Sequence, residues 1–138
     1  MWGPQIKAGV VRDISPEHVE SPVSMDDIAR VAAHLLTAPR APHLGRMYEL
    51  TGPVALSRAD IARQIGAGIG TPVEVRPCGR AEAEELLRPV MGDGARWYLD
   101  LFEGDLEPQA ANDNVAQLTG TPAESIAQWA ARNRNLFV

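Results

Sequence analysis

The sequence predicts an α/β fold with few short strands, about five helices and a mainly helical C-terminal part. Three observations predict it. Tyr48 and Leu50 alternate with Glu49 at strand period, a helix starts at Ser57, and Val73-Glu74-Val75 reads as a second strand. That strand–helix–strand order points to a crossover unit on a sheet. Residues 24–38 carry a continuous apolar stripe at helical spacing, and beyond residue 80 every periodic segment is helical.

The elements follow in order. Residues 1–23 read as irregular, with Val10-Val11 as a short strand and Ser15-Pro16 and Ser21-Pro22 as loop punctuation. Ser24, followed by Asp26 and Asp27, opens a helix whose Ile28, Val31, Ala32, Leu35 and Leu36 share one face, and Pro39 ends it. Gly52-Pro53 stops the Tyr48–Leu50 strand, because proline has no N–H for a ladder. Ser57 caps the next helix, with Asp60 three residues on. Ile61, Ala62, Ile65 and Ile69 form its buried face, and Gly70 and Pro72 terminate it.

Ala83, Leu86, Leu87 and Val90 space a helix over 80–91 that Pro89 kinks or ends. Gly92-Asp93-Gly94 breaks the chain before a short amphipathic helix over 95–103, which groups Trp97, Tyr98, Leu101 and Phe102. Residues 104–112 read as a connector and Asp113 as the cap of one turn through Leu118. Thr121 as N-cap, Pro122 at N1 and Glu124 at N3 predict the start of the last helix, with Ile126, Trp129 and Ala130 inward.

Length and composition bound the rest. At 138 residues, the chain is read as one domain over 1–138. Lys and Arg number 13 against 18 Asp and Glu, a net charge of −5 with Arg58, Arg63, Arg76, Arg80 and Arg88 scattered rather than clustered. That balance argues against nucleic acid or an anionic membrane as partner. No stretch is apolar enough to span a bilayer, and the N-terminus lacks a basic segment before an apolar run. The expected location is the cytoplasm. Cys78 is the single cysteine, so no intrachain disulfide forms. It reads as a loop residue whose thiol Arg80 would acidify.

Little in the chain has the spacing of a catalytic constellation. Gly66-x-Gly68-x-Gly70 closes a helix, whereas a phosphate-binding loop opens one. The three histidines lack metal-ligand spacing, and Ser57 is accounted for by capping. Glu82, Glu84 and Glu85 read as a solvated helix face, and there is no Tyr-x-x-x-Lys pair. No catalytic, cofactor or metal residue is assigned. The aromatic group either lines an apolar pocket with a phenolic tip or packs the C-terminal helices together.

One resemblance runs along most of the chain. Tyr48-x-Leu50-Thr51-Gly52-Pro53-x-x-Leu56-Ser57 resembles the late strand–turn–helix of NmrA-like proteins, an atypical branch of the short-chain dehydrogenase/reductases. Asp27-Ile28-Ala29-x-Val31-Ala32-Ala33-x-Leu35 is similar to their Asp-Ile-Ala helix. Val115-x-x-Leu118-Thr119-Gly120-x-Pro122, with Trp129, resembles their closing segment and last helix, and Trp2-x-Pro4-Gln5-Ile6 the segment before. The resemblance implies a Rossmann-type sheet holding NAD(P) at an N-terminal glycine loop and a smaller C-terminal subdomain over the substrate. Family members include quinone and azo-type reductases and nucleotide-sensing regulators.

The match covers only the C-terminal half of that family, so the expected fold is an incomplete Rossmann-like unit. No cofactor is expected on this chain alone, with NAD(P) implied if the other half is supplied. The resemblance sets Trp2, Trp97 and Tyr98 on the substrate side. With Phe102 they are the candidate substrate-binding residues, for a small apolar or aromatic ligand. The expected function is the substrate-side portion of an NAD(P)-dependent oxidoreductase, not catalytic alone. The alternative is a non-catalytic binding or regulatory module working through a partner chain or a small apolar ligand. Helical stripes suited to a large sheet, with few strands to cover them, predict an exposed apolar surface and either self-association or a complementing chain.

Overall fold

Pro4 opens the first element: a proline in the first turn gives up no hydrogen bond, and Gly3–Lys7 forms a five-residue helix, α1. This helix lies within the stretch expected to be irregular, because five residues are too few to show a period. The computed structural model describes residues 2–102 and 107–137. The remaining helices are α2 (Met25–Thr37), α3 (Arg58–Ile69), α4 (Arg80–Met91), α5 (Gly94–Asp100), α6 (Asn114–Thr119) and α7 (Ile126–Arg132). The strands are β1 (Val10–Asp13), β2 (Val19–Glu20), β3 (Leu56–Ser57) and β4 (Glu74–Pro77). The architecture is α/β and mostly helical, with seven α-helices among the described residues where about five were expected.

The chain packs as two compact units, each assembled from separated stretches. Met1–Val19, Leu56–Pro108 and Ile126–Val138 form the first, and Glu20–Ala55 with Gln109–Ser125 forms the second.

In the first unit, β1 and β4 run parallel, with Val10 opposite Glu74 and Val11 opposite Val75. The crossover strand is therefore Val10–Asp13 and not Tyr48–Leu50, which pairs with no strand among the described residues. Helix α3 is the crossover. Ser57 Oγ accepts from the Asp60 amide at 3.1 Å at its start, and Gly70 closes it in the left-handed region at φ +75°. Ile61, Ala62, Ile65 and Ile69 are buried as predicted, against Ile6, Val11, Ala130 and Phe137. A smaller cluster gathers Ala83, Leu87, Ala95 and Leu99 between α4 and α5. Pro89 lies in the last turn of α4, and the helix runs two residues past it to Met91. β2 and β3 make a second, two-stranded sheet.

In the second unit, Ser24 caps α2 by accepting from the Asp27 amide at 3.1 Å. Val31 and Val115 bury the contact between α2 and α6. Only part of the predicted α2 stripe is covered: Leu36 is 86% exposed. Buried Thr51 and Ser21 hold the 109–114 segment. Thr51 Oγ1 accepts from the Asn112 amide at 2.8 Å, and Ser21 Oγ donates to the Gln109 carbonyl at 2.8 Å. The last helix does not begin at Pro122. Asp27 Oδ2 accepts from the Glu124 amide at 2.8 Å and Arg30 donates to the Pro122 carbonyl at 3.1 Å. These side chains take groups that a first helical turn would orient along its axis, and α7 starts at Ile126.

Candidate functional site

The first unit carries the densest polar chemistry, and three elements build it. The end of β1 supplies Asp13, which shares the inward face with Val11 at strand period. The start of α3 supplies Arg58. The loop after β1 accepts that helix's first orphan amides, Arg58 N to the His18 carbonyl and Ala59 N to the Pro16 carbonyl, both at 2.9 Å. Trp2 stands at the N-cap of α1, which Ile6 anchors with no exposed surface. Tyr98 on α5 and Phe102 just after it complete the group.

Arg58 is its centre. Nε donates to Asp13 Oδ1 at 3.0 Å and Nη2 to Oδ2 at 2.7 Å, a bidentate pair with both side chains 4% exposed. Nη1 donates to the Tyr98 hydroxyl oxygen at 3.1 Å. The guanidinium carbon lies 4.9 Å from the Trp2 ring centroid and 4.6 Å from that of Phe102. A desolvated cation over an aromatic face gains about 2 kcal/mol per contact. The edge of Phe102 meets Tyr98 at 5.1 Å and His18 at 5.6 Å between centroids, both T-shaped. Beside the pair lies a cavity of about 20 Å³ bordered by Gln5, Ile14, Leu86 and Leu99. That is room for a water molecule and no more without side-chain movement.

The structure thus brings Trp2, Tyr98 and Phe102 onto one buried guanidinium. Trp97 does not join them: it is 63% exposed, and Ala95 and Leu99 are the buried residues of α5. Arg58 and Asp13 escaped sequence reading, though both left a signal. A cation at the first position of a helix opposes the macrodipole and implies a partner elsewhere. Asp13 falls in phase with buried Val11. Chemically, a fixed guanidinium donating to a phenolic oxygen polarises the Tyr98 O–H.

Other candidates resolve differently. Burial pushes the Cys78 thiol up, and the carboxylates of Glu82 and Asp13 push the same way, so the acidification expected from Arg80 does not occur. Glu84 is not simply solvated: Arg96 and then Arg88 hold its carboxyl below the usual range. The glycines of 66–70 do not fit a dinucleotide phosphate. A Cβ on Gly66 would stand 2.6 Å from the Thr71 carbonyl oxygen, and one on Gly68 2.3 Å from that of Ala127. At Gly66 and Gly68 the space a phosphate cradle keeps open is filled by the chain itself, and Gly70 serves as the left-handed helix stop. Among the described residues no group of three or more His, Cys, Asp or Glu side chains is placed to hold a metal, and no helix is long and apolar enough to cross a membrane.

No family model matches the chain. It is 29% identical over 140 residues to a (4-alkanoyl-5-oxo-2,5-dihydrofuran-3-yl)methyl phosphate reductase of Streptomyces griseus, across 99% of this chain and 49% of that protein. It is 30% identical over 116 residues to an NAD(P)H azoreductase of Xenophilus azovorans, across 80% of this chain and 40% of that one. An NADPH-dependent quinone oxidoreductase of Escherichia coli superposes on 97% of the chain with a TM-score of 0.75, at 22% identity and over 50% of its own length. A Citrobacter triphenylmethane reductase, solved with NADP(H), superposes with a TM-score of 0.72. The chain spans about half the length of the relatives it matches. Its fold is that of the C-terminal part of a Rossmann-like reductase.

Proposed function

We propose that this chain is the substrate-side portion of an NAD(P)H-dependent, NmrA-like reductase. The observation that carries this is the convergence of Trp2, Tyr98 and Phe102 on the buried Arg58–Asp13 pair. Residues 45 apart in sequence form the ion pair, and aromatic side chains from two parts of the chain, Trp2 and the Tyr98–Phe102 pair, lie against it. Planar acceptors recur among the relatives, whose names give a quinone, azo compounds and triphenylmethane dyes. A planar electron-poor ring stacks on aromatic faces, and a polarised phenol hydrogen-bonds its oxygen or nitrogen. Gly66 and Gly68 offer no cradle for a dinucleotide phosphate, and this reading places the nucleotide on the half of the relatives that this chain does not match.

Calorimetric titration of the chain with 2-methyl-1,4-naphthoquinone tests the reading. Saturable binding that weakens at least about tenfold, or 1.4 kcal/mol, in Trp2→Ala and Phe102→Ala is expected, with Trp97→Ala unchanged. Identical isotherms for all four proteins would contradict it. Tight stoichiometric NADPH binding by the chain alone would overturn the claim about the nucleotide.

A further inference from the structure

The Arg58 cluster holds strong charges, and they are already matched. Asp13 Oδ1 accepts from Arg58 Nε at 3.0 Å and from the Ser15 amide at 2.9 Å, and Oδ2 accepts from Arg58 Nη2 at 2.7 Å. Donors from α3 and from the loop after β1 thus fix the carboxylate against rotation. With both side chains 4% exposed, neither charge is screened by water.

Arg12 is the second cation bordering the small cavity beside this pair. Glu82 on α4, 70 residues along the chain, forms an ion pair with its guanidinium, and both of these side chains are about half exposed. Among the described residues, each guanidinium at the cavity wall therefore has a carboxylate partner, and the other bordering groups are aromatic, aliphatic or amide. A phosphate, sulfonate or carboxylate is held by charge-assisted hydrogen bonds from a cation. At this wall such a group would meet cations whose charge is balanced, and a fixed carboxylate that repels it at close range. An anion taken out of water without a counter-charge is strongly disfavoured. A neutral carbonyl carries no such cost.

We propose that Asp13 and Glu82 determine the charge class of the ligand: the Arg58 cluster takes planar molecules without formal charge and rejects anionic ones built on the same ring. The proposal rests on the reading of this cluster as the substrate side, and adds what selects among planar ligands there. The selection works by leaving the wrong ligand without a partner for its charge. Asp13 is the stronger determinant, because its pair is buried. Glu82 is the weaker one, because a half-exposed pair is screened by water and salt.

Calorimetric titration with two ligands of one ring system, anthraquinone-2-methanol and anthraquinone-2-sulfonate, tests this. The readout is the ratio of their affinities, which cancels a general weakening of the site. The parent chain should prefer the neutral ligand at least about tenfold, or 1.4 kcal/mol. Asp13→Asn keeps the shape and one acceptor oxygen but leaves the Arg58 charge unbalanced, and it should move the ratio toward the sulfonate at least about tenfold. Glu82→Gln changes only a half-exposed pair and should move the ratio the same way by about two- to fivefold. That smaller shift should vanish in about 1 M salt, where charges are screened within about 3 Å. Glu74→Gln alters net charge equally at the exposed pair with Arg76, and should leave the ratio within about twofold of the parent. An unchanged ratio in Asp13→Asn, or in Glu82→Gln where Asp13→Asn does not fold, would overturn the proposal. So would a parent that binds the sulfonate as tightly as the alcohol, or a shift in Glu74→Gln equal to that in Glu82→Gln. A parent that binds neither ring would overturn the proposed function and this inference together. Binding with an unmoved ratio would remove the charge selection alone.

Discussion

Arg58 carries its charge into a site that is 4% exposed, and Asp13 matches that charge at two points. Removing one partner of a buried pair leaves an uncompensated charge, which costs about 3–5 kcal/mol. Asp13→Leu is therefore expected to destabilise by about that much in urea denaturation. The double variant Asp13→Leu/Arg58→Met should recover a large part of the loss, and a double variant as unstable as the sum of the singles would contradict this. Cys78 gives a second prediction. With its thiol raised by burial and by Glu82 and Asp13, its deprotonated fraction at pH 8 falls below that of an ordinary thiol. Labelling by iodoacetamide at about pH 8 should be several-fold slower than for a free thiol of ordinary pKa, near 8.5. Equal rates would show a thiol that burial has not raised. At this scale, aromatic side chains close together on α5 were legible because enrichment is local. The ion pair was not, because its partners lie 45 residues apart and meet only after folding.

Among the elements, α3 and α7 depend on a glycine. A Cβ at Gly68 would stand 2.3 Å from the Ala127 carbonyl oxygen and 2.9 Å from the Ala130 Cβ, so the helices must separate. Gly68→Ala is expected to cost about 1–3 kcal/mol as an overpacking change, against the gain in helix propensity. A neutral or stabilising Gly68→Ala in thermal melts would mean that the helices pack more loosely than described. The α3 start gives a pH dependence. The Ser57 hydroxyl, and then Arg63, hold the Asp60 carboxyl below its ordinary value. A depressed carboxylate stabilises above its unfolded pKa, near 4, and that contribution is lost as pH falls through the folded value. Because Asp60 is 51% exposed in its ion pair, the effect is worth no more than about 1 kcal/mol. Wild type and Asp60→Asn should differ in melting near neutral pH and converge toward about pH 3. A difference independent of pH would assign the effect to capping alone. Helices with a full apolar period and a capping serine were legible to within a residue. The start of α7 was not, since Asp27 and Arg30 recruit residues 122–125 from about ninety positions away.

For the molecule as a whole, periodicity reported which residues are apolar but not which of them the chain itself covers. Helix α2 shows the difference: Ile28, Val31, Ala32, Leu35 and Leu36 read as one stripe, yet Val31 is buried while Ala32 and Leu36 are exposed. The Tyr48–Leu50 alternation likewise marked a strand-forming segment without showing where its ladder would come from. Both fit a chain spanning about half of its relatives, with the cluster around Arg58 proposed for the substrate side and Gly66 and Gly68 closed to a dinucleotide phosphate. The most direct measurement is steady-state quinone reduction by a hybrid in which this chain replaces the matching half of the Escherichia coli quinone oxidoreductase, with NADPH and naphthoquinone varied separately. Trp2→Ala and Phe102→Ala should raise the KM for the quinone at least about tenfold while leaving the KM for NADPH within about twofold, a loss of substrate binding alone. Variants that weaken NADPH and leave the quinone untouched would contradict the assignment of this cluster to the substrate side.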